Sequence, residues 1–287
     1  MSKLIVIDVG GTTIKYALWN EQAKKLSNKN NLNTPDNIED FYQMLEKICD
    51  EFKFEKIDGA GFSIPGTVNQ KTGIIGGISA LPYIHHFPIA QAIQERLNLK
   101  VSLENDANCA ALAELSVGAA KNLADILFLV IGTGIGGAVV SNHQIIRGSN
   151  LYGGEFGMMM GDKKKQLSLW GSAVHMAERY NSKYGTNLSG KQVIELADSG
   201  DFTAKTEAQV MYDNLAQAIY NLQFITDPQA IIIGGGVSRS SIFMRHLTET
   251  VDAYVDSLGN IPIRPKVLAS KFHNDANLIG AAYNFYN

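Results

Sequence analysis

The run Glu104-Asn105-Asp106 stands where an apolar stretch gives way to a helical pattern. That is the carboxyl end of a sheet strand, the address at which open α/β folds place their ligands. Two roles fit the aspartate. It can cap the helix that runs on through Ala110 and Leu115, a common structural use of Asp. It can also act as a general base, because phosphoryl transfer asks a protein for positioning, charge neutralisation and a group to accept a hydroxyl proton. Position alone favours the cap. Glu155 lies in Gly153-Gly154-Glu155-Phe156-Gly157, where flanking glycines let a loop approach a polar ligand closely. Its carboxylate can accept hydrogen bonds from two vicinal hydroxyls; a solvated loop acid is the commoner case.

Three glycine loops each follow an apolar strand: Gly10-Gly11, Gly132 to Gly137, and Gly234 to Gly236. Without side chains in the way, successive backbone N–H groups can converge on phosphate oxygens. Any one of these loops is more often a tight turn, but three together suit a nucleotide. Gly132, Gly134 and Gly137 satisfy G-x-G-x-x-G, yet the residues after them read as a strand where a dinucleotide-binding fold needs a helix. The Walker pattern is absent. Neither a dinucleotide-dependent dehydrogenase nor a P-loop enzyme is supported. The first loop has Asp8 and Lys15 on its flanks, with Thr12 and Thr13 between them. An acid beside a phosphate loop fits a hydrated Mg²⁺ held through water, and equally a carboxylate bonded to turn amides.

These residues need elements to position them. Leu4 to Asp8 and Ile14 to Trp19 read as a β-hairpin. A helix follows Asp36 and runs through Phe52, with Ile38, Phe41, Leu45 and Ile48 on one face. Then come a strand at Ile57 to Ser63, a helix at Ile89 to Leu97, a strand at Lys100 to Leu103 and a helix at Ala107 to Leu115. A second strand, glycine loop and strand, Asp125 to Ile131 and Ala138 to Ser141, repeats the opening construction and implies an internal duplication. Helices are expected over Ser168 to Tyr184, Ser189 to Ser199, Ala204 to Thr226, Ser240 to Leu258 and Asn274 to Phe285, with strands at Ala230 to Ile233 and Lys266 to Ala269. The fold class is therefore α/β.

At 287 residues the chain suits two domains. The expected division is 1–118, carrying the first phosphate loop, and 119–273, with the helix of 274–287 packing back on the first. A net charge of −3 offers no general attraction to nucleic acid or anionic lipid, and Lys163, Lys164 and Lys165 are too short a basic run to change that. Cys49 and Cys109 both fall in helical patterns and read as reduced core thiols, which suits the cytoplasm. The opening apolar run is too short for a signal segment, and no stretch reaches spanning length without interruption. A cytoplasmic protein acting on small molecules, without membrane or nucleic-acid partners, is the expectation. His85 and His86 read as a solvated loop pair and Met158 to Met160 as packing.

Ile7 to Lys15, Ser63-Ile64-Pro65-Gly66, Glu104 to Asn108, Ile131 to Gly137, Gly154-Glu155-Phe156-Gly157 and Gly234 to Gly236 together resemble, in order and spacing, the ROK sugar kinases of bacteria. The resemblance implies the two-domain hexokinase/actin-like (ribonuclease H-like) fold with an interdomain cleft, using ATP and Mg²⁺. It implies Asp106 as the base, with Asn105, Glu155 and Gly66 holding the sugar. Gly10, Gly11, Thr12, Thr13 and Lys15, with Gly132, Thr133 and Gly134, would bracket the phosphates; Gly234 and Gly235 would lie near the adenosine, and Asp8 would hold Mg²⁺ through water. Family members commonly dimerise, so a homodimer is a further expectation.

One departure is informative. Most members follow the glutamate with Gly-His and a Cys-rich zinc motif, whereas this chain reads Glu155-Phe156-Gly157-Met158-Met159-Met160-Gly161. No structural zinc is expected, since two distant cysteines cannot supply its ligands. The zinc-free sequence resembles the β-glucoside kinase branch, so the expected reaction is phosphorylation of O6 of glucose or a β-glucoside. N-acetylmannosamine or another hexose is an alternative acceptor, and a sugar-binding sensor with weak catalysis an alternative of another class. A repressor is not expected, because the residues before Asp8 leave no room for a helix-turn-helix.

Overall fold

Strand β1 (Lys3–Val9) sets Ile5, Ile7 and Val9 on one face and Leu4, Val6 and Asp8 on the other, and both sets are buried. A strand covered on both faces belongs in the middle of a layered α/β unit. The computed structural model of the chain describes residues 3–161 and 164–287, so Lys163 of the basic run lies outside the described residues. β1 turns through Gly10-Gly11-Thr12 into β2 (Thr13–Asn20), which pairs with it antiparallel, and β2 pairs in turn with β3 (Lys25–Asn33). β3 has no counterpart among the expected elements. Its lysines and asparagines are nearly all exposed, as suits a sheet edge that must not recruit another strand.

Helix α1 (Ile38–Glu51) is capped by Asn37, whose side chain accepts from the Asp40 N–H, and it buries Phe41, Leu45 and Ile48 on the Ile5/Ile7/Val9 face. β4 (Ile57–Ile64) runs parallel to β1, the hairpin β5 (Thr67–Asn69) and β6 (Ile74–Gly76) follows, and α2 (Ile89–Leu97) leads to β7 (Val101–Asn105), parallel to β4. α3 (Asp106–Val117) starts at once. The first sheet therefore has the order β3-β2-β1-β4-β7.

The second sheet repeats it. β8 (Ile126–Ile131), β9 (Ile135–Ser141) and β10 (Gln144–Ile145) form an antiparallel meander. After helices α4 (Leu167–Gly171), α5 (Ala173–Tyr184), α6 (Gly190–Ser199) and α7 (Phe202–Thr226), β11 (Ala230–Gly234) lies parallel to β8. α8 (Ser241–Ser257) then leads to β12 (Val267–Ala269), parallel to β11. The order β10-β9-β8-β11-β12 matches the first sheet strand for strand and direction for direction, which is the duplication that the repeated glycine turns imply.

Two expectations are corrected here. The helix expected over Ser168 to Tyr184 is broken at Ser172, which is extended and turns its hydroxyl to cap α5 by accepting from the His175 N–H. The expected loop Gly132 to Gly137 is shorter, because Gly136 and Gly137 already belong to β9. At Gly137 a Cβ would lie 2.5 Å from the Phe156 ring, so glycine there makes room for that ring.

The chain closes with α9 (Ala276–Tyr286), which packs on β1, β4 and β7. It comes so near to α3 that a Cβ on Gly280 would stand 1.7 Å from the Cys109 carbonyl oxygen. By contacts the chain divides into two units: the residues up to Ser116 with Gly148–Tyr152 and Asn274–Asn287, and Val117–Arg147 with Gly153–His273. Each has its own core, the first around Ile5, Ile7, Phe41 and Phe62, the second around Leu129, Ile231, Leu215 and Phe243. Both cysteines are free, and burial drives the Cys49 thiol up to about 11 and that of Cys109 well above its usual range. No helix among the described residues is long and apolar enough to cross a membrane.

Candidate active site

In the first unit the carboxyl ends of β1, β4 and β7 lie side by side, and their register aligns Asp8 with Ser63 and Ser63 with Glu104. Asp8 is 7% exposed. A buried carboxylate needs partners, and it has three. Oδ1 accepts from Ser63 Oγ and from Asn277 Nδ2 of α9, each at 2.9 Å, while Lys15 Nζ stands 3.5 Å from Oδ2. Its partners are thus side chains from β4, α9 and β2, and the turn amides considered for it are not among them. Both neutral donors crowd Oδ1 and leave Oδ2 with only a half-exposed lysine at 3.5 Å. That suits a Mg²⁺ held through water and phosphate better than a full protein cage; among the described residues no three His, Cys, Asp or Glu side chains gather to hold a metal.

Glu104 is fully buried and organises the junction of β7 and α3. Its Oε1 accepts from the Asn105 N–H and from Asn108 Nδ2, and its Oε2 from Gln70 Nε2. The cap of α3 is one residue earlier than expected. Asn105 Oδ1 accepts the Asn108 N–H at 3.1 Å, so Asn105 is the capping side chain and Asp106 occupies the first helical position. Asp106 is exposed, and its Oδ1 accepts from the Ala107 N–H at 2.8 Å and Asn105 Nδ2 at 2.9 Å. Asn105 Nδ2 also donates to the Gly66 carbonyl at 3.0 Å, tying the turn after β4 to the head of α3. Gly66 has φ +98° and a Cβ there would meet the Gly76 carbonyl oxygen at 2.7 Å, which excludes any side chain. The turn itself is closed by a hydrogen bond from Gly10 N–H to the Thr13 carbonyl, and Gly11 and Thr12 stay exposed.

The corresponding turn of the second unit is Gly132-Thr133-Gly134, closed by Gly132 N–H on the Gly134 carbonyl. Ser168 Oγ accepts the Ile135 N–H at 3.0 Å and steadies its far side. Gly235, after β11, has φ +85° and lies against the Ile131 carbonyl. Beside these glycines opens a cavity of about 570 Å³, lined by Gly132, Lys191, Val237 and Arg239 and by the first residues of α5, α6 and α8. Helix N-termini favour anionic groups, and the volume is that of a small-ligand pocket. Gly236 lines this cavity, while Gly234 and Gly235 are not among its lining residues. Glu155, also in this unit, keeps an open carboxylate with no hydrogen-bond or ion-pair partner among the described residues, and partial loss of water around it pushes its pKa up. Met158 and Met160 are exposed and only Met159 packs against the core, a correction to the expectation that all three pack.

Some side chains of the candidate site escaped the sequence reading. Ser63 and Asn277 hold Asp8 from 55 and 269 residues away, and no local pattern signals such contacts. Lys191 and Arg239 lacked any motif. His85 is buried, not solvated, and only His86 is exposed.

A five-stranded sheet of this order used twice, with glycine turns at the ends of its parallel strands, is the actin-like hexokinase architecture, a class that includes sugar phosphotransferases. The chain belongs to the ROK family, which it matches over residues 4–286. It is 30% identical to a β-glucoside kinase of Klebsiella pneumoniae, over 99% of this chain and 96% of that one. A glucokinase of Thermotoga maritima is 29% identical over 98% of this chain and 96% of its own length. Among solved structures, a ROK family protein from Streptococcus pneumoniae TIGR4 in complex with sucrose superposes with a TM-score of 0.91 at 36% identity, covering 99% of this chain and 97% of that one. The chain is accordingly an ATP-dependent sugar kinase.

Proposed function

We propose that the enzyme transfers the γ-phosphate of ATP to O6 of glucose or of a β-glucoside in the cytoplasm, with Asp106 as the general base. The observation that carries this reading is the division of labour at the head of α3. Asn105 takes the capping role, and two donors fix Oδ1 of Asp106 at an exposed first-turn position. A carboxylate oriented in this way needs no reorganisation when a hydroxyl reaches it, and accepts its proton as the oxygen bonds to phosphorus. Asn105 has committed both Nδ2 protons and one lone pair of Oδ1, so it meets a sugar hydroxyl as an acceptor. Glu155, whose carboxylate has no partner of its own among the described residues, accepts two further hydroxyls. Gly66 lines the acceptor, and its bond to Asn105 fixes the turn.

Gly10, Gly11, Thr12 and Thr13, with Gly132, Thr133 and Gly134, hold the phosphates through backbone N–H groups, and Lys15 adds charge. Gly234 and Gly235 lie near the adenosine. Asp8 would hold Mg²⁺ through water, and the ion would supply neutralisation of phosphate charge. Relatives named β-glucoside kinase and glucokinase support the choice of acceptor. The test is ADP release with ATP and glucose, cellobiose, N-acetylglucosamine or N-acetylmannosamine. Glucose or cellobiose should give the highest kcat/KM; a clear preference for an N-acetylated sugar would overturn the acceptor assignment.

A further inference from the structure

The segment between β6 and the turn Pro82–Ile84 carries Ile78, a large aliphatic side chain that is 98% exposed. A lone exposed isoleucine normally needs no explanation. This one is held in place. The buried His85 ring meets Ser79 Oγ through Nε2 at 2.7 Å, and it also makes a hydrogen bond with the backbone of Gly77. With Nε2 committed to Ser79, the Gly77 carbonyl takes the Nδ1 proton, so the neutral ring receives the Ser79 hydroxyl hydrogen. Ser79 Oγ in turn accepts the Leu81 N–H at 3.1 Å. One imidazole thus grips the residues on either side of Ile78, and Gly77 supplies the φ of +76° that lets the chain turn there.

The place of this segment in its unit gives the grip a purpose. A Cβ on Gly11 would stand 2.8 Å from the Ala80 Cβ, so the segment lies against the phosphate turn. A Cβ on Gly66 would stand 3.1 Å from His85 Cε1, so its anchor lies against the turn tied to Asn105. Residues 77–81 therefore wall the space next to Gly11 and Gly66, with the exposed aliphatic side chain of Ile78 projecting from a held backbone.

We propose that Ile78 is an acceptor-selecting residue that packs on an apolar aglycone carried by the sugar, and that His85 and Ser79 are the positioning residues that present it. The substrate class is β-glucosides with aromatic or aliphatic aglycones, in preference to the free sugar. This rests on the acceptor reading above. Because the backbone on either side of Ile78 is already held, only its side-chain rotamers are ordered when the ligand arrives, which keeps the entropy cost of the contact small.

The test compares kcat/KM for phenyl β-glucoside and for glucose. In Ile78→Ser the ratio of the two should fall roughly tenfold, the usual scale for losing an apolar contact in a specificity pocket. Ser79→Ala, which releases one side of the grip, should lower the same ratio about threefold in a protein that remains folded by circular dichroism. A ratio unchanged in Ile78→Ser, or equal losses on both substrates, overturns the assignment. The two levels are separable: failure of the acceptor reading appears in the wild-type enzyme as an N-acetylated sugar preferred over both glucose and phenyl β-glucoside, whereas failure of the Ile78 assignment appears only in the variants.

Discussion

Replacing Gly280 by alanine tests the packing that positions Asp106, the proposed base. The added Cβ would sit 1.7 Å from the Cys109 carbonyl oxygen, and ordinary contact begins near 3.4 Å, so α3 and α9 must separate by roughly 1.7 Å. Both sides of the clash are helix backbone and neither can rotate away. Overpacking of a core costs about 1–3 kcal/mol, and the rigid partners place this case near the upper value. Alanine's better helix propensity returns about 1 kcal/mol. The net loss is about 2 kcal/mol, or a fall in Tm of roughly 4–8 °C. Cys109 lies three residues beyond Asp106 on α3, so the same shift displaces the base. A displacement near 1 Å can cost about a hundredfold in rate, and kcat at 25 °C should fall by about that factor although the protein remains folded. Thermal melts by circular dichroism and steady-state kinetics read the two effects. A variant with wild-type Tm and kcat would refute the argument that α9 sets the position of α3.

Three further outcomes are expected. Asp106→Asn keeps an oxygen for the Ala107 N–H, so stability should stay within about 0.5 kcal/mol of wild type while kcat drops roughly 10²–10⁴-fold; urea melts and the coupled assay check both. Asn277→Ala removes one of two donors from Asp8 Oδ1. Hydrogen bonds to charged groups are worth about 1.5–3 kcal/mol, so Mn²⁺ binding to the ATP complex, followed by electron paramagnetic resonance, should weaken about tenfold with glucose affinity unaltered. Glu155 has a raised pKa in the folded chain, so its contribution to stability is present at low pH and lost as pH rises through that pKa. Glu155→Gln should therefore be no less stable than wild type at pH 7, while kcat/KM for the sugar falls and the acid limb of its pH profile moves or vanishes.

The sheets were legible wherever burial writes a pattern. Leu4 to Asp8, Ile57 to Ser63 and Ala230 to Ile233 are runs that only a covered strand would carry, and each is a strand. β3 escaped because an edge strand is held by backbone pairing with β2, and its polar side chains carry no alternation. The break at Ser172 was hidden inside a helical period, since a serine can either continue a helix or cap the next one. At the site, residue types and spacing pointed to Asp8, Asn105, Asp106 and Glu155. They favoured Asp106 as the cap of α3, whereas the cap is Asn105; both are good caps, and a one-residue shift is set by backbone geometry. The partners of Asp8 were out of reach for a different reason: they depend on register between strands and on a helix from the far end of the chain.

The return of α9 to the first sheet also bears on how the protein is made. Leu4 and Val6 line a face of β1 against which α9 packs, and Asp8 takes one of its donors from that helix. On the ribosome the first sheet therefore emerges early but lacks one of its covers until α9 has been translated. The second unit, whose helices and strands all come from 117–273, can complete its core in the meantime. The catalytic half would be the last to mature, and nascent chains halted before residue 274 would be the ones most in need of a chaperone.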